Sequence, residues 1–301
     1  MRVTFEEKTY ESYFNNELDN RSKIYFPPGQ YQEGFLGFDS SAFTEDIELW
    51  RYLGHPWLPN LPFEGIKLRR IADEMEHFLS IKIRNMPSIS VNLLFQYKKP
   101  EYITTSLGKE WNKWSQPYYR YEIYREQQEL LMNIHSKLGD RVLVIYASPA
   151  LLSNDELVNA HMNRKIIEFS NFRKASELNT HHRNTYIKAG NYSIACSDPE
   201  FLDNFDLINE INNFKRSKTD MDLNNIDIIN NFRNSLIELI NKDLYISNSF
   251  NKLNEKISEF QNHELLYTFL VLKNFRLLTG MQWVIKFEDE EKFKKKRIHI
   301  K

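Results

Sequence analysis

Cysteine is nearly absent. Cys196 is the one thiol in 301 residues, which excludes a disulfide framework and a multi-cysteine zinc site. Glycine is scarce as well: nine residues, at 29, 34, 37, 54, 65, 108, 139, 190 and 280. No spacing among them makes a dinucleotide fingerprint or a phosphate loop, which argues against nucleotide-driven motors and Rossmann oxidoreductases. No apolar run approaches the roughly 18 residues of a membrane span. The longest, Val142 to Ala147, has the length of a strand. The start, Met1-Arg2-Val3-Thr4-Phe5-Glu6-Glu7, has no apolar h-region, so no secretory signal is expected. A surplus of one charge is missing too, with 40 basic against 41 acidic side chains. That excludes a globally basic nucleic-acid coat and leaves room for a local basic groove. A soluble, cytoplasmic protein with no membrane partner is expected.

With 41% hydrophobic residues, the chain can bury a sizeable core. Nearly all the proline and glycine lie in the first two hundred residues. Beyond about Phe201 the chain is rich in Asn, Ile, Leu and Lys, and helical spacing appears at Ile229, Phe232, Leu236, Leu239 and Ile240. The same spacing recurs at Leu253, Ile257, Phe260 and Leu265. Residues 1–198 are therefore read as an α/β domain and 199–301 as a mostly helical region, with loops in the Asn/Asp-rich piece from Asn204 to Asn231.

Within the first part, Thr4-Phe5-Glu6-Glu7 reads as a capping turn that opens a helix to about Leu18. Pro27-Pro28-Gly29 makes a turn, and Tyr31 to Phe43 leans toward β structure. Residues 45–83 read as an insertion with a helix from about Ile66 to Phe78. Residues 88–98 alternate: Ile89, Val91, Leu93, Phe95 and Tyr97 on one face, and Ser90, Asn92, Leu94, Gln96 and Lys98 on the other. A helix follows from about Ile123 to Leu138, with Gly139 where a left-handed cap belongs. Arg141 to Ala147 is a continuous apolar strand, the pattern of a strand covered on both faces. Strand, helix, strand in that order predicts a right-handed crossover and a parallel pair.

Gln96 and Lys98 stand two apart, so they project from the same strand face. A cation beside an amide at a strand end suits a phosphate, a metal or a water better than a core. Gly37-Phe38-Asp39 places an acid in the β-leaning segment, with Glu33 six residues earlier at the same parity. The first helix offers a third acid, Glu6, Glu7 or Glu11.

This constellation resembles the PD-(D/E)xK nuclease superfamily, whose restriction-endonuclease-like fold runs helix, β-hairpin, motif strand, helix, strand. Residues 4–18, 30–43, 88–98, 122–138 and 141–147 would take those places, about half the chain. The resemblance implies a mixed sheet flanked by helices, with a mostly helical C-terminal region added. It puts the first acid on Asp39 and the second motif on Gln96-Tyr97-Lys98, where glutamine replaces the usual carboxylate. It further implies Asp39, Gln96 and Glu33 as ligands of Mg²⁺ or Mn²⁺, Lys98 as the cation beside the attacking water, and Glu11 as a further acid. Gln127 or Gln128 on the following helix would face the same groove, and Lys99, Arg120 and Gln127 are candidate nucleic-acid contacts. The implied activity is phosphodiester hydrolysis, in DNA with RNA left open, in restriction or phage defence. A homodimer or a partner protein of a defence system would accompany it. The alternative is a nuclease-like domain that has lost catalysis and binds nucleic acid or protein.

Each residue also has a plainer explanation. Asp39 before Ser40-Ser41 suits an Asx-turn, Lys98-Lys99 suits a solvated strand end, and Glu33 suits a surface position. His181-His182 reads as a polar turn, since sequence neighbours do not easily share a metal. The stretch holding Trp111, Trp114, Tyr118, Tyr119, Tyr121 and Tyr124, interleaved with Lys109, Lys113, Arg120 and Arg125, fits either base stacking or a core-capping loop. Cys196 has no base beside it, and residues 288–301 pass from acidic to basic as a solvated end or a DNA-contacting arm.

Overall fold

The computed structural model describes residues 3–22, 24–25, 68–190, 192–214, 217–243 and 246–288. Asp39 and Glu33 lie outside the described residues, as does the β-leaning segment that carries them. The described residues fall into two compact units, each drawn from separated stretches of chain. The first uses residues up to 25, 90–217 and 280–286; the second uses 68–89, 218–279 and 287–288. This division differs from the linear one at residue 198, because a late strand returns to the first unit.

The first unit opens with α1 (Glu7–Ser22) and β1 (Ile24–Tyr25). Helix α1 buries Tyr10, Phe14 and Leu18, a stripe at four-residue spacing. Thr4 does not cap it. The helix begins three residues later, and Thr4 is spent on tertiary bonds: its amide donates to Leu152 O and its Oγ1 accepts from the Asn154 amide. The motif strand β2 (Ile89–Tyr97) follows the second unit's helix α2 (Leu68–Asn85) in sequence. Its odd face packs on α1, with the Phe14 ring centre 5.3 Å from that of Phe95 and 5.5 Å from that of Tyr97.

Next come β3 (Glu101–Ile103), one helical turn (Trp111–Trp114), β4 (Tyr118–Glu122), helix α3 (Arg125–Leu138) and β5 (Val142–Pro149). Gly139 ends α3 at φ +54°, a conformation cheap for glycine. Every residue of β5 is buried, and β5 runs parallel to β2 with Gln96 opposite Tyr146 and Tyr97 opposite Ala147. The parallel pair expected from strand, helix, strand is present.

Helix α4 (Asn154–Met162) precedes β6 (Ser170–Lys174), which pairs antiparallel with β5. The remaining elements of this unit are β7 (Arg183–Tyr186), β8 (Ser193–Cys196), β9 (Glu200–Leu202) and α5 (Leu207–Asn213). Strands β3, β4, β7, β8 and β9 form a second, wholly antiparallel sheet in that order. Its buried polar centre is an ion network: the Arg183 guanidinium bonds Glu110 and Glu122, and Tyr118 Oη donates to Glu110 Oε2 at 3.0 Å.

The second unit is helical in its described part: α2, α6 (Asn225–Ile240), α7 (Ser247–Glu255) and α8 (Glu264–Thr279). Asn224 caps α6 by accepting from the Ile226 and Asp227 amides. The Glu76 carboxylate accepts the Leu265 and Leu266 amides at 3.0 and 2.8 Å, closing the first turn of α8. Ile229, Phe232, Leu236 and Ile240 are buried as their spacing predicts. The run from Leu253 to Leu265 is not one helix, since α7 ends at Glu255 and α8 begins at Glu264. The Asn/Asp-rich piece contributes helix as well as loop. The chain's helical end also contains β10 (Met281–Phe287), which lies between β1 and β2 in the first sheet, whose order is β1-β10-β2-β5-β6. Among the described residues no helix is long and apolar enough to cross a membrane. The architecture is mixed α/β, with helices flanking a mixed sheet and an antiparallel one.

Candidate functional site

The site grows from the end of β2. Its even positions face the side that β5 extends through Tyr146 and that α3 covers through Gln128, whose Oε1 accepts from Tyr146 Oη at 2.8 Å. Asn92 is held there by Trp283 Nε1 and by Arg141 O. Gln96 comes next along the same face and is 4% exposed. Its Nε2 donates to Tyr97 O, but its Oε1 is buried with no hydrogen-bond partner among the described residues. An amide oxygen stripped of water without a replacement bond costs about 1–3 kcal/mol. Gly280 approaches this side chain, so that a Cβ there would meet Gln96 Nε2 at 3.8 Å.

Lys98 follows, 7% exposed. Strand pairing fixes its backbone: its amide donates to Ala147 O at 2.9 Å and its carbonyl accepts from Ser148 Oγ at 2.9 Å. The Nζ donates to Gln127 Oε1 at 2.6 Å and sits 4.8 Å from the Tyr124 ring centre and 5.6 Å from that of Tyr146. Burial lowers its pKa to about 8, against the opposing pull of Glu7 and Glu122. An amine in that range loses its proton near physiological pH, as a surface lysine does not.

Glu7, at the first turn of α1, is the described acid that weighs most on Lys98. Its Oε2 accepts the Lys99 amide at 3.0 Å. Burial raises its pKa, while the Lys99 amide and the Lys98 charge pull it down. Glu11 is one turn further on, deeply buried, with Lys8 Nζ on its Oε2 at 3.0 Å. Of the three acids the first helix offers, Glu7 is the one that meets the motif strand. Glu6 instead stands 3.6 Å from Lys99 Nζ.

The other candidates separate. Gln127 joins the site, whereas Gln128 is a buried strut whose Nε2 donates to Ala175 O. Arg120 is paired with Glu101 at 2.8 Å and lies 3.8 Å from Glu110. Trp114, Tyr118, Tyr119 and Tyr121 are buried in the second sheet, so the aromatic stretch is mainly core. Tyr124, 63% exposed beside Lys98, is the exception. Burial pushes the Cys196 thiol up, which leaves it a poor nucleophile.

The oxygens that the strand end offers are the unpartnered Gln96 amide on the face under α3 and the Glu7 carboxylate on α1, which packs on the other face. That set suits a hard cation such as Mg²⁺ and offers nothing to zinc or copper. Among the described residues no group of three His, Cys, Asp or Glu side chains comes together. Missing from the sequence reading was the choice of Glu7, whose one legible signal was its place in the first helical turn. Compared with protein-family models, with curated proteins and with solved structures, the chain finds no match.

Proposed function

We propose that the chain is a metal-dependent nuclease that hydrolyses phosphodiester bonds, in DNA before RNA. The observation that carries this reading is Lys98: a buried amine with a lowered pKa at the end of a central parallel strand, two residues along the same face from an orphaned amide oxygen and held toward its charged form by Glu7. Structural lysines are rarely buried unless a purpose offsets the cost, and perturbed amines gather at sites of proton transfer. The parallel β2–β5 pair linked through α3 supports the restriction-endonuclease-like reading of the sheet.

Gln96 Oε1, Asp39 and Glu33 would hold Mg²⁺ or Mn²⁺, which would polarise the scissile phosphate as a Lewis acid, while Glu7 would act on Lys98 through its charge. Lys98 handles the proton. Its neutral form takes a proton from the attacking water as the water oxygen bonds to phosphorus. The bond from phosphorus to the leaving ester oxygen breaks, that oxygen takes a proton from solvent water, and Lys98 returns its own proton to solvent. Gln127 orients the amine through its 2.6 Å hydrogen bond, and Tyr124 offers an exposed ring for a base. A helical unit in the same chain as such a domain suits a cytoplasmic restriction or phage-defence role, working as a homodimer or with a partner protein; that step is an analogy from fold.

The test is plasmid nicking by the purified chain in Mg²⁺ or Mn²⁺, beside the Lys98→Ala and Glu7→Gln proteins. Nicking by the parent that EDTA and Lys98→Ala both abolish is the expected result. Equal nicking by all three would overturn it. A second reading, a nuclease-like module that only binds, is favoured by the neutral amide at position 96. Retarded DNA without cutting under every metal would select it.

A further inference from the structure

The first unit contains a cleft that phosphodiester chemistry at Lys98 leaves unused. It encloses about 720 Å³, within the range of about 300–1,000 Å³ usual for small-ligand sites. One wall is the face of α3 that carries Arg125, Glu129, Met132 and Asn133, spaced three and four apart. The opposite wall is the turn at 179–182 with Ser197. Gln127, the α3 residue that meets Lys98, does not line it.

The hydrogen bonds around the two histidines fix what the cleft asks for. His181 is 9% exposed, and its Nε2 lies 3.3 Å from Glu200 Oε2. A carboxylate only accepts, so in the neutral ring Nε2 carries the proton and Nδ1 keeps a lone pair. That Nδ1 is buried and has no hydrogen-bond partner among the described residues. His182 has the opposite tautomer. Its Nδ1 is 2.6 Å from Ser197 Oγ, whose single proton goes to Thr180 O. Nδ1 must therefore donate, which leaves Nε2 as the acceptor. Two successive histidines thus each offer a lone pair and want an N–H or O–H from elsewhere.

The charge balance points the same way. Arg125 is tied to Glu129 at 2.8 Å, so the wall carries a neutralised pair rather than a free anion receptor. The exposed side-chain amides of Asn133 and Asn179 line the cleft and can donate or accept. Ile123 and Met132 add apolar lining. A neutral, flat ligand with ring N–H or amino donors and acceptor atoms suits His182 Nε2 and the two exposed amides together.

We propose that this cleft binds a nucleobase. The base could reach it from an unstacked nucleic-acid strand or as a free nucleoside, and both present the same edge to the histidines and amides. Binding there requires neither metal nor catalysis at Lys98.

The test is titration calorimetry on the full chain in EDTA. The probes are deoxyadenosine, deoxycytidine, deoxyguanosine and thymidine, and short homopolymers of each. Saturable binding of at least one nucleoside or homopolymer is expected, weakened about tenfold by Asn179→Ala and by His182→Ala without change in melting temperature. Binding of homopolymers alone identifies a strand as the source; binding of nucleosides as well identifies the free base. Nucleosides carry no scissile phosphate for the Lys98 site, so the Lys98→Ala protein should bind them as the parent does, which separates this result from failure of the nuclease reading. Absence of saturable binding by every probe would overturn the proposal. So would affinity that both substitutions leave unchanged, or binding that disappears with Lys98.

Discussion

Lys98 Nζ donates to Gln127 Oε1 across 2.6 Å, so the buried ammonium of the motif strand is answered by a neutral amide from the next helix. A carboxylate in that place would hold the lysine charged. An amide steadies its position and leaves burial free to bring the pKa to about 8.

That value sets a pH dependence of stability. The unfolded lysine titrates near 10.5 and the folded one near 8, so between these values the unfolded chain binds more protons. Stability therefore rises with pH across that window, and below about 8 the penalty is full, about 3 kcal/mol at most. Lys98→Met should stabilise the chain by about 1–3 kcal/mol at pH 7 while abolishing nicking. The gain should shrink toward pH 10. Urea unfolding at both pH values checks it, and a gain of equal size at each would refute the charge argument.

Glu7 favours the charged form of Lys98. Glu7→Gln keeps an oxygen for the Lys99 amide while removing that charge. Lys98 should then deprotonate at lower pH, moving the rising limb of the pH–rate profile to the acid side. A limb that stays in place would dissociate Glu7 from Lys98 electrostatically.

Gln96→Glu places a carboxylate where the amide oxygen is unpartnered. In EDTA the buried charge should lower the melting temperature, and added Mg²⁺ should restore it, because a ligand bound only by the folded chain stabilises it by mass action. Calorimetric scans with and without Mg²⁺ read this directly. A melting temperature that ignores Mg²⁺ would place the cation elsewhere.

The second sheet makes a prediction of its own. Arg183 is buried against Glu110 and Glu122, so Arg183→Ala strands a buried carboxylate and should cost about 3–5 kcal/mol. Exposed pairs such as Arg125–Glu129 should cost under about 1 kcal/mol when broken. Denaturant midpoints of the two variants give the comparison.

The sequence carried the first sheet's centre openly. Alternation at 89–97, the helix stripe Leu130, Leu131, Ile134 and Leu138, and the apolar run at 142–147 each have one dominant period, and β2, α3 and β5 followed. The second sheet was hidden because β3, β7, β8 and β9 are three or four residues long, too short for a period to register. Strand β10 was masked by its neighbours: Met281 to Phe287 reads as a strand by itself but sits in Asn- and Lys-rich helical surroundings. Gln96 and Lys98 were legible from parity alone. Glu7 was not separable from Glu6 and Glu11, because choosing among three acids at the start of the chain's first helix needs the position of Lys99 in space.

The placement of β10 also bears on synthesis. It forms the bridge between β1 and β2, although more than 180 residues separate it from β2 along the chain. A growing polypeptide therefore exposes one flank of β2 until position 287 has been made, and an unsatisfied strand flank invites pairing with other chains. Ribosomes that stall before residue 281 would release a product prone to cluster, and the sheet that carries Lys98 would close only once residues 281–287 have emerged.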